Sequence, residues 1–272
     1  MMPGTLYLCA TPIGNLADSS SRLRDTLGSV DVVFAEDTRR TGKLLAALGV
    51  SAELRSYFVG NEAERSVELA AHLAAGRTVA LVTDAGTPAV ADPGVSAVQG
   101  ARKVGAAVRI IPGPSAVTAA IALSGFGGDR FVFDGFLPRK GRDRTGRLAA
   151  IASEVRPTVL FSTANRLTRD LEDLMSHTSA AREVCITREM TKLYEEVWWG
   201  TLEEANDLWG AREVKGELTL VLAGASPAEI GFEAAVAIAR SAVESGATRS
   251  EAARTGAERS GHPRREIYEA LG

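Results

Sequence analysis

The sequence predicts an α/β protein of two domains, followed by a small helical segment at the C-terminal end. Three observations lead there. Short apolar runs ending in loops rich in Gly, Pro and Asp alternate with helical runs through about residue 125. The glycine-broken stretch Ser124-Gly125-Phe126-Gly127-Gly128 then interrupts any regular element, and an aromatic, strand-rich texture follows it. From Pro227 onward the chain is Ala-rich with helical spacing. The expected domains are therefore 1–125, 126–225 and 226–272.

In order, Leu6-Tyr7-Leu8-Cys9-Ala10 reads as a buried strand, and Thr11-Pro12-Ile13-Gly14-Asn15-Leu16 as a turn before a helix over Ser21 to Gly28. That turn lacks GxGxxG, and no GxxxxGK[ST] occurs anywhere, so dinucleotide and nucleoside-triphosphate readings drop. Asp31 to Glu36 is a second strand, running into Asp37-Thr38-Arg39-Arg40 and a helix from about Thr41 to Leu48. The charged stretch is either a capped helix start with solvated charges or part of a site. Glu62 to Ala75 has helical spacing, and its His72 reads as a half-buried or surface group.

The apolar run Val79-Ala80-Leu81-Val82 enters Thr83 to Gly94, TDAGTPAVADPG, with Asp84 and Asp92 as carboxylates and Gly86 and Gly94 as points of close backbone approach. A strand ending this way suits ligand binding at the carboxyl edge of an open sheet. A helix near Val95 to Val104 and a strand Ala107 to Ile111 lead to Pro112-Gly113-Pro114-Ser115-Ala116, with Ser115 placed to cap a helix through Leu123. If the strands are parallel, the three loops TPIGN, DAGTP and PGPSA converge on one edge.

In the second part, strands are expected at Phe131 to Leu137, Thr158 to Ser162, Glu183 to Thr187, Glu195 to Trp199 and Glu217 to Ala223, with Thr201 opening a short helix. Pro138 to Arg147 holds five basic residues against one acidic and reads as a basic loop, either solvated or contacting phosphate. Trp198, Trp199 and Trp209 read as packing residues. In the tail, Phe232 to Ala242, Ser250 to Arg259 and a helix from Pro263 could form a packing unit or a helix-turn-helix.

Composition limits the function. Hydrophobic content of 45% with 24% charged residues is that of a globular chain. No apolar stretch approaches the length of a membrane span, and Met1-Met2-Pro3-Gly4-Thr5 is unlike a secretion signal, so a cytoplasmic protein is expected. Cys9 and Cys185 each lie in a strand-like run, which suggests two reduced core thiols and no metal site. A formal net charge of −3 leaves nucleic-acid binding to local basic patches.

TLYLCATPIGNLADSSSRL, FAEDTRRTGKLL, ALVTDAGTPAVADPG, IPGPSAVTAAIALSG, FDGFLPRKG, LTREMTKLYEE followed by WGTLEE, and KGELTLVLAG, in that order, resemble the bacterial 16S rRNA (cytidine-2'-O)-methyltransferases of the tetrapyrrole methylase superfamily. The resemblance covers nearly the whole chain. It implies a two-domain fold with S-adenosylmethionine in a cleft between the domains, a homodimer, and a cytidine ribose in the decoding region of the small ribosomal subunit as substrate. It would place the cofactor on Pro12, Ala85, Gly86, Thr87, Val90, Ser115, Ala116, Thr163 and Met190. ATPIGN stands where tetrapyrrole-modifying relatives have GxGPGD, and FSTANR where the rRNA branch commonly has an aromatic-Glu-x-Pro-His-Arg run.

The activated sulfonium methyl needs no metal or covalent nucleophile, only a ribose hydroxyl held in line with it and a general base nearby. Asp84 is the first candidate base and Asp37 and Glu189 are the others, each at or just past a strand end. Arg39, Arg139, Lys140 and Arg142 would position phosphates. The alternatives are a tetrapyrrole-type small-molecule methyltransferase and a non-catalytic ribosome assembly factor.

Overall fold

The computed structural model describes residues 2–226 and 230–272. Packing divides them into two units, Met1–Ala119 with Glu189–Glu195, and Ala120–Arg188 with Glu196–Gly272. The division falls inside a helix rather than at the glycine cluster. The helical tail goes with the second unit, and its expected start at Pro227 lies outside the described residues.

The first unit alternates strand and helix: β1 (Thr5–Cys9), α1 (Ser21–Leu27), β2 (Val32–Ala35), α2 (Thr38–Leu48), β3 (Leu54–Ser56), α3 (Glu62–Ala74), β4 (Val79–Val82), α4 (Val95–Lys103) and β5 (Ala107–Ile111), before α5 (Ala116–Ser124) crosses into the second unit. The strands form one parallel sheet in the order β3-β2-β4-β1-β5. β2 (VVFA) and β4 (VALV) are buried at every position, as strands covered on both faces must be. Phe34, Tyr57, Leu69, Leu73 and Leu81 pack on one side of the sheet, and Leu23, Leu27, Val33 and Val82 in a second cluster. β3 was not expected. α2 starts three residues earlier than its spacing suggested, because the Asp37 carboxylate accepts the amides of Arg39 and Arg40 and caps it.

The second unit is built on a mixed sheet of β6 (Val132–Phe136), β7 (Thr158–Thr163), β8 (Glu183–Arg188), β9 (Glu196–Thr201) and β10 (Glu217–Leu222), ordered β6-β7-β10-β8-β9. Only β6 and β7 run parallel. α6 (Arg142–Ala152), α7 (Leu167–His177) and α8 (Leu202–Gly210) complete it, and a Thr201–Glu204 capping box starts α8 as expected.

The basic segment is corrected here. Only Pro138, Arg139, Lys140 and Gly141 precede a helix that begins at Arg142. Arg144 is buried, paired with Asp170 at 2.9 Å and Asp173 at 2.6 Å, and Arg147 pairs with Asp134.

The tail forms α9 (Phe232–Glu244), α10 (Arg249–Ser260) and α11 (Arg264–Ala270) around Ala235, Ala239, Ala252, Ala253 and Ile267. Gly256 allows the close approach, since a Cβ there would lie 2.9 Å from the Ala235 carbonyl oxygen. Among the described residues no helix is long and apolar enough to cross a membrane. Cys9 and Cys185 are buried thiols that burial pushes up to about 12 and about 11, so neither is primed as a nucleophile.

Candidate functional site

Parallel pairing brings the loops after β1, β2, β4 and β5 to the carboxyl edge of the first sheet, and hydrogen bonds lock them to one another. Thr11 and Gly86 exchange backbone bonds, N–H to carbonyl, at 2.9 and 3.1 Å. The Thr11 hydroxyl donates to the Thr83 carbonyl at 3.1 Å. Gly86 sits at φ +77°, a conformation that side chains disfavour. The third loop joins at Gly113, where a Cβ would come within 3.1 Å of the Ala10 side chain. Of the residues expected to hold a cofactor, Pro12, Ala85, Thr87, Ser115 and Ala116 are half-buried, Gly86 is buried and Val90 is exposed.

The segment 189–195 packs with the first unit although it leaves β8 of the second. Met190 is buried there, between Glu189 and Thr191 at φ +51° and +66°. Lys192 covers Gly14, where a Cβ would lie 2.4 Å from its Cγ. Thr163 instead ends β7 in the second unit and is exposed, as are Arg139, Lys140 and Arg142.

The acidic candidates have distinct surroundings. Glu36 accepts the Asp84 amide at 3.1 Å, and Asp84 accepts the Asp37 amide at 3.1 Å while its second oxygen pairs with Arg40 at 3.1 Å. This carboxylate relay ties the end of β4 to the start of α2. Asp37 pairs with Arg39 at 2.9 Å, and the Arg39 side chain and amide hold its carboxyl down at about 2. A carboxylate that acidic is a weak proton acceptor. Glu189 pairs with Lys192 at 2.8 Å. Asp92, by contrast, is raised to about 6, first by burial and then by the charges of Glu36 and Asp84.

Two features had little signal in the sequence. The Glu62 carboxylate accepts the amides of Gly94 at 3.2 Å and Ser96 at 3.3 Å, capping α4 from 32 residues away. The Thr83 hydroxyl is buried beside the Asp92 carboxyl, whose ionised form it favours. The small residues Ala85 and Gly86, the latter at positive φ, leave room for close backbone approach in this loop. Among the described residues no cluster of His, Cys, Asp and Glu is arranged to hold a metal.

Residues 5–206 match the model of the tetrapyrrole (corrin/porphyrin) methylases. A ribosomal RNA small subunit methyltransferase I from Synechocystis sp. is 42% identical over 269 residues, covering 98% of this chain and 96% of that protein. The protein of the same name from Thermotoga maritima is 42% identical over 221 residues, 81% of this chain and 99% of the relative. Among solved structures, uroporphyrin-III C-methyl transferase from Thermus thermophilus complexed with S-adenyl homocysteine aligns with a TM-score of 0.58 at 18% identity, covering 80% of this chain and 96% of that one. At that identity the likeness is one of fold.

Proposed function

Since the chain belongs to the tetrapyrrole methylase family, we propose that it transfers a methyl group from S-adenosylmethionine to ribosomal RNA of the small subunit. The acceptor is the 2'-hydroxyl of a cytidine in the decoding region of 16S rRNA. The observation that carries this reading is the 42% identity, over 98% of the chain, to a protein named for small-subunit rRNA methylation.

The cofactor supplies an activated sulfonium methyl, and the protein's task is to hold and orient. Pro12, Ala85, Gly86, Thr87 and Val90 contact it from the first and central loops, Ser115 and Ala116 from the third, and Met190 from the segment 189–195. The central loop, with Gly86 at positive φ, allows the close backbone approach that such a group needs. Asp84 keeps the central loop in register through the Asp37 amide and Arg40. Arg39, Arg139, Lys140 and Arg142, all exposed, contact phosphates.

The enzyme acts in the cytoplasm as a homodimer. Support for the dimer comes from β5, an edge strand whose Val108 and Ile110 are 38% and 47% exposed.

Labelled methyl transfer to small subunits from a strain lacking this gene, with the modified nucleoside identified by mass spectrometry, tests the reading. Label in 2'-O-methylcytidine supports it. Cofactor binding without incorporation points to a small-molecule acceptor or an assembly factor.

A further inference from the structure

The far arm of the central loop, Thr87 to Gly94, is held in a conformation that its own residues disfavour. Ala89 and Ala91 stand at φ +67° and +59°, on either side of the exposed Val90. Residues with a Cβ rarely adopt that region, and they persist there only where their surroundings fix them. The arm closes on itself where the Ala89 amide donates to the Pro93 carbonyl at 3.2 Å. Gly94, at φ +144°, packs so tightly against Ala89 that a Cβ would lie 3.1 Å from the Ala89 nitrogen. Gly94 is in turn tied to α3, because one oxygen of Glu62 accepts the amides of Gly94 and Ser96 at 3.2 and 3.3 Å. The Tyr57 hydroxyl donates to the same oxygen at 3.3 Å and shares a 2.8 Å bond with the Ser66 hydroxyl. Tyr57, just past the end of β3, and Ser66 are both buried, so the carboxylate is itself held in place.

Resting on the cofactor reading above, we propose that Glu62 is a positioning residue for the methyl donor: through Gly94 it keeps the strained arm in the shape that presents Val90 to the cofactor. It acts through the arm and not on the reacting atoms. Without this anchor Ala89 and Ala91 relax toward negative φ, the competent loop becomes a minor population, and apparent affinity falls by that fraction. An amide oxygen at the same place still accepts the backbone donors, so Glu62→Gln keeps the anchor while Glu62→Ala removes it. Glycine carries no steric cost at positive φ, so Ala91→Gly, at an exposed position, restores part of what Glu62→Ala loses. The coupling is reciprocal: an anchor that favours the cofactor is itself favoured by the cofactor.

Calorimetric titration of the whole protein with S-adenosylmethionine tests this, with circular dichroism to confirm folding of each variant. Glu62→Ala should bind about tenfold more weakly, the scale of a lost hydrogen bond to a charged group, and Glu62→Gln should stay within about threefold of the wild type. Glu64 is exposed in the same first turn of α3, so Glu64→Ala should leave the affinity unchanged and separates the anchor from the helix dipole. Adding Ala91→Gly to Glu62→Ala should recover part of the loss. Wild-type affinity in Glu62→Ala, an equal loss in Glu62→Gln or Glu64→Ala, or no recovery with Ala91→Gly would overturn the proposal while leaving the cofactor in place. If Glu62→Ala fails to fold, hydrogen exchange in the wild type decides: S-adenosylmethionine should slow exchange of the Gly94 and Ser96 amides, and unchanged exchange would overturn the proposal. No binding of S-adenosylmethionine by the wild-type protein would overturn the cofactor reading and this one with it.

Discussion

Arg144→Met isolates the residue that separates the basic segment's structural role from its proposed RNA role. The Arg144 guanidinium donates to Asp170 at 2.9 Å, to Asp173 at 2.6 Å and to the Pro138 carbonyl at 2.9 Å. The side chains of Arg144 and Asp170 are 5% and 3% exposed, and the Ser162 hydroxyl adds a bond to Asp170 at 2.8 Å. Methionine fills much of the volume but leaves a buried carboxylate with Ser162 and a 3.7 Å approach from Arg166. Breaking a buried pair from one side costs about 3–5 kcal/mol, against about 0–1 kcal/mol for an exposed pair. At about 2–4 °C per kcal/mol for a unit of this size, the melting midpoint should fall by roughly 6–20 °C. All three tryptophans, Trp198, Trp199 and Trp209, lie in the second unit, so fluorescence-detected urea unfolding reads the right part of the molecule. Adding Asp170→Asn should recover part of the loss by removing the stranded charge. A loss under about 1 kcal/mol would refute the reasoning and return Arg144 to the candidates for phosphate contact.

Asp84→Ala should lower methyl transfer more than tenfold with the fold intact, because the central loop loses its tie to the Asp37 amide and Arg40; near-normal turnover would remove Asp84 from the site. Replacing Arg139, Lys140 and Arg142 together by Ala should reduce the salt dependence of small-subunit binding by roughly two to three in log–log slope without affecting stability, as measured by filter binding across a salt series. Asp37 and Asp92 should titrate in opposite senses by NMR, near about 2 and about 6. Asp37 favours the folded state above the ordinary carboxylate range and loses that contribution as pH falls through about 2. For Asp92, whose folded value is raised, stability should fall as pH rises from about 4 toward about 6, and Asp92→Asn should abolish that slope.

The residues that could be read in advance are those whose role depends on their immediate neighbours. β2 and β4 announce themselves as unbroken apolar runs, because strands covered on both faces have no polar side to show. The Thr201 cap of α8 is legible because its partner, Glu204, is three residues away. Where the partner is distant the signal fades. β3 is three residues, Leu54-Arg55-Ser56, half-buried at its ends and exposed between, too short to show a period. α7 did carry a pattern, Leu167, Leu171 and Leu174 at helical spacing, all buried. α6 looked like a basic loop because the acids that bury Arg144 come 26 and 29 residues later.

The candidate site shows the same division more sharply. That Asp37, Asp84 and Asp92 stand in loops past strand ends follows from the chain's alternation alone. The raised proton affinity of Asp92 does not, for it depends on groups that the strand order β3-β2-β4-β1-β5 makes into neighbours. Because β2 lies beside β4, Glu36 meets the Asp84 amide and Asp84 meets Asp37, each across more than forty residues. The same adjacency brings the charges of Glu36 and Asp84 to Asp92, whereas Asp37 is held down by Arg39, two residues further along the chain. Among residues of one type in one set of loops, the local chain thus makes Asp37 a helix cap, while strand order makes Asp84 a tether and raises the proton affinity of Asp92.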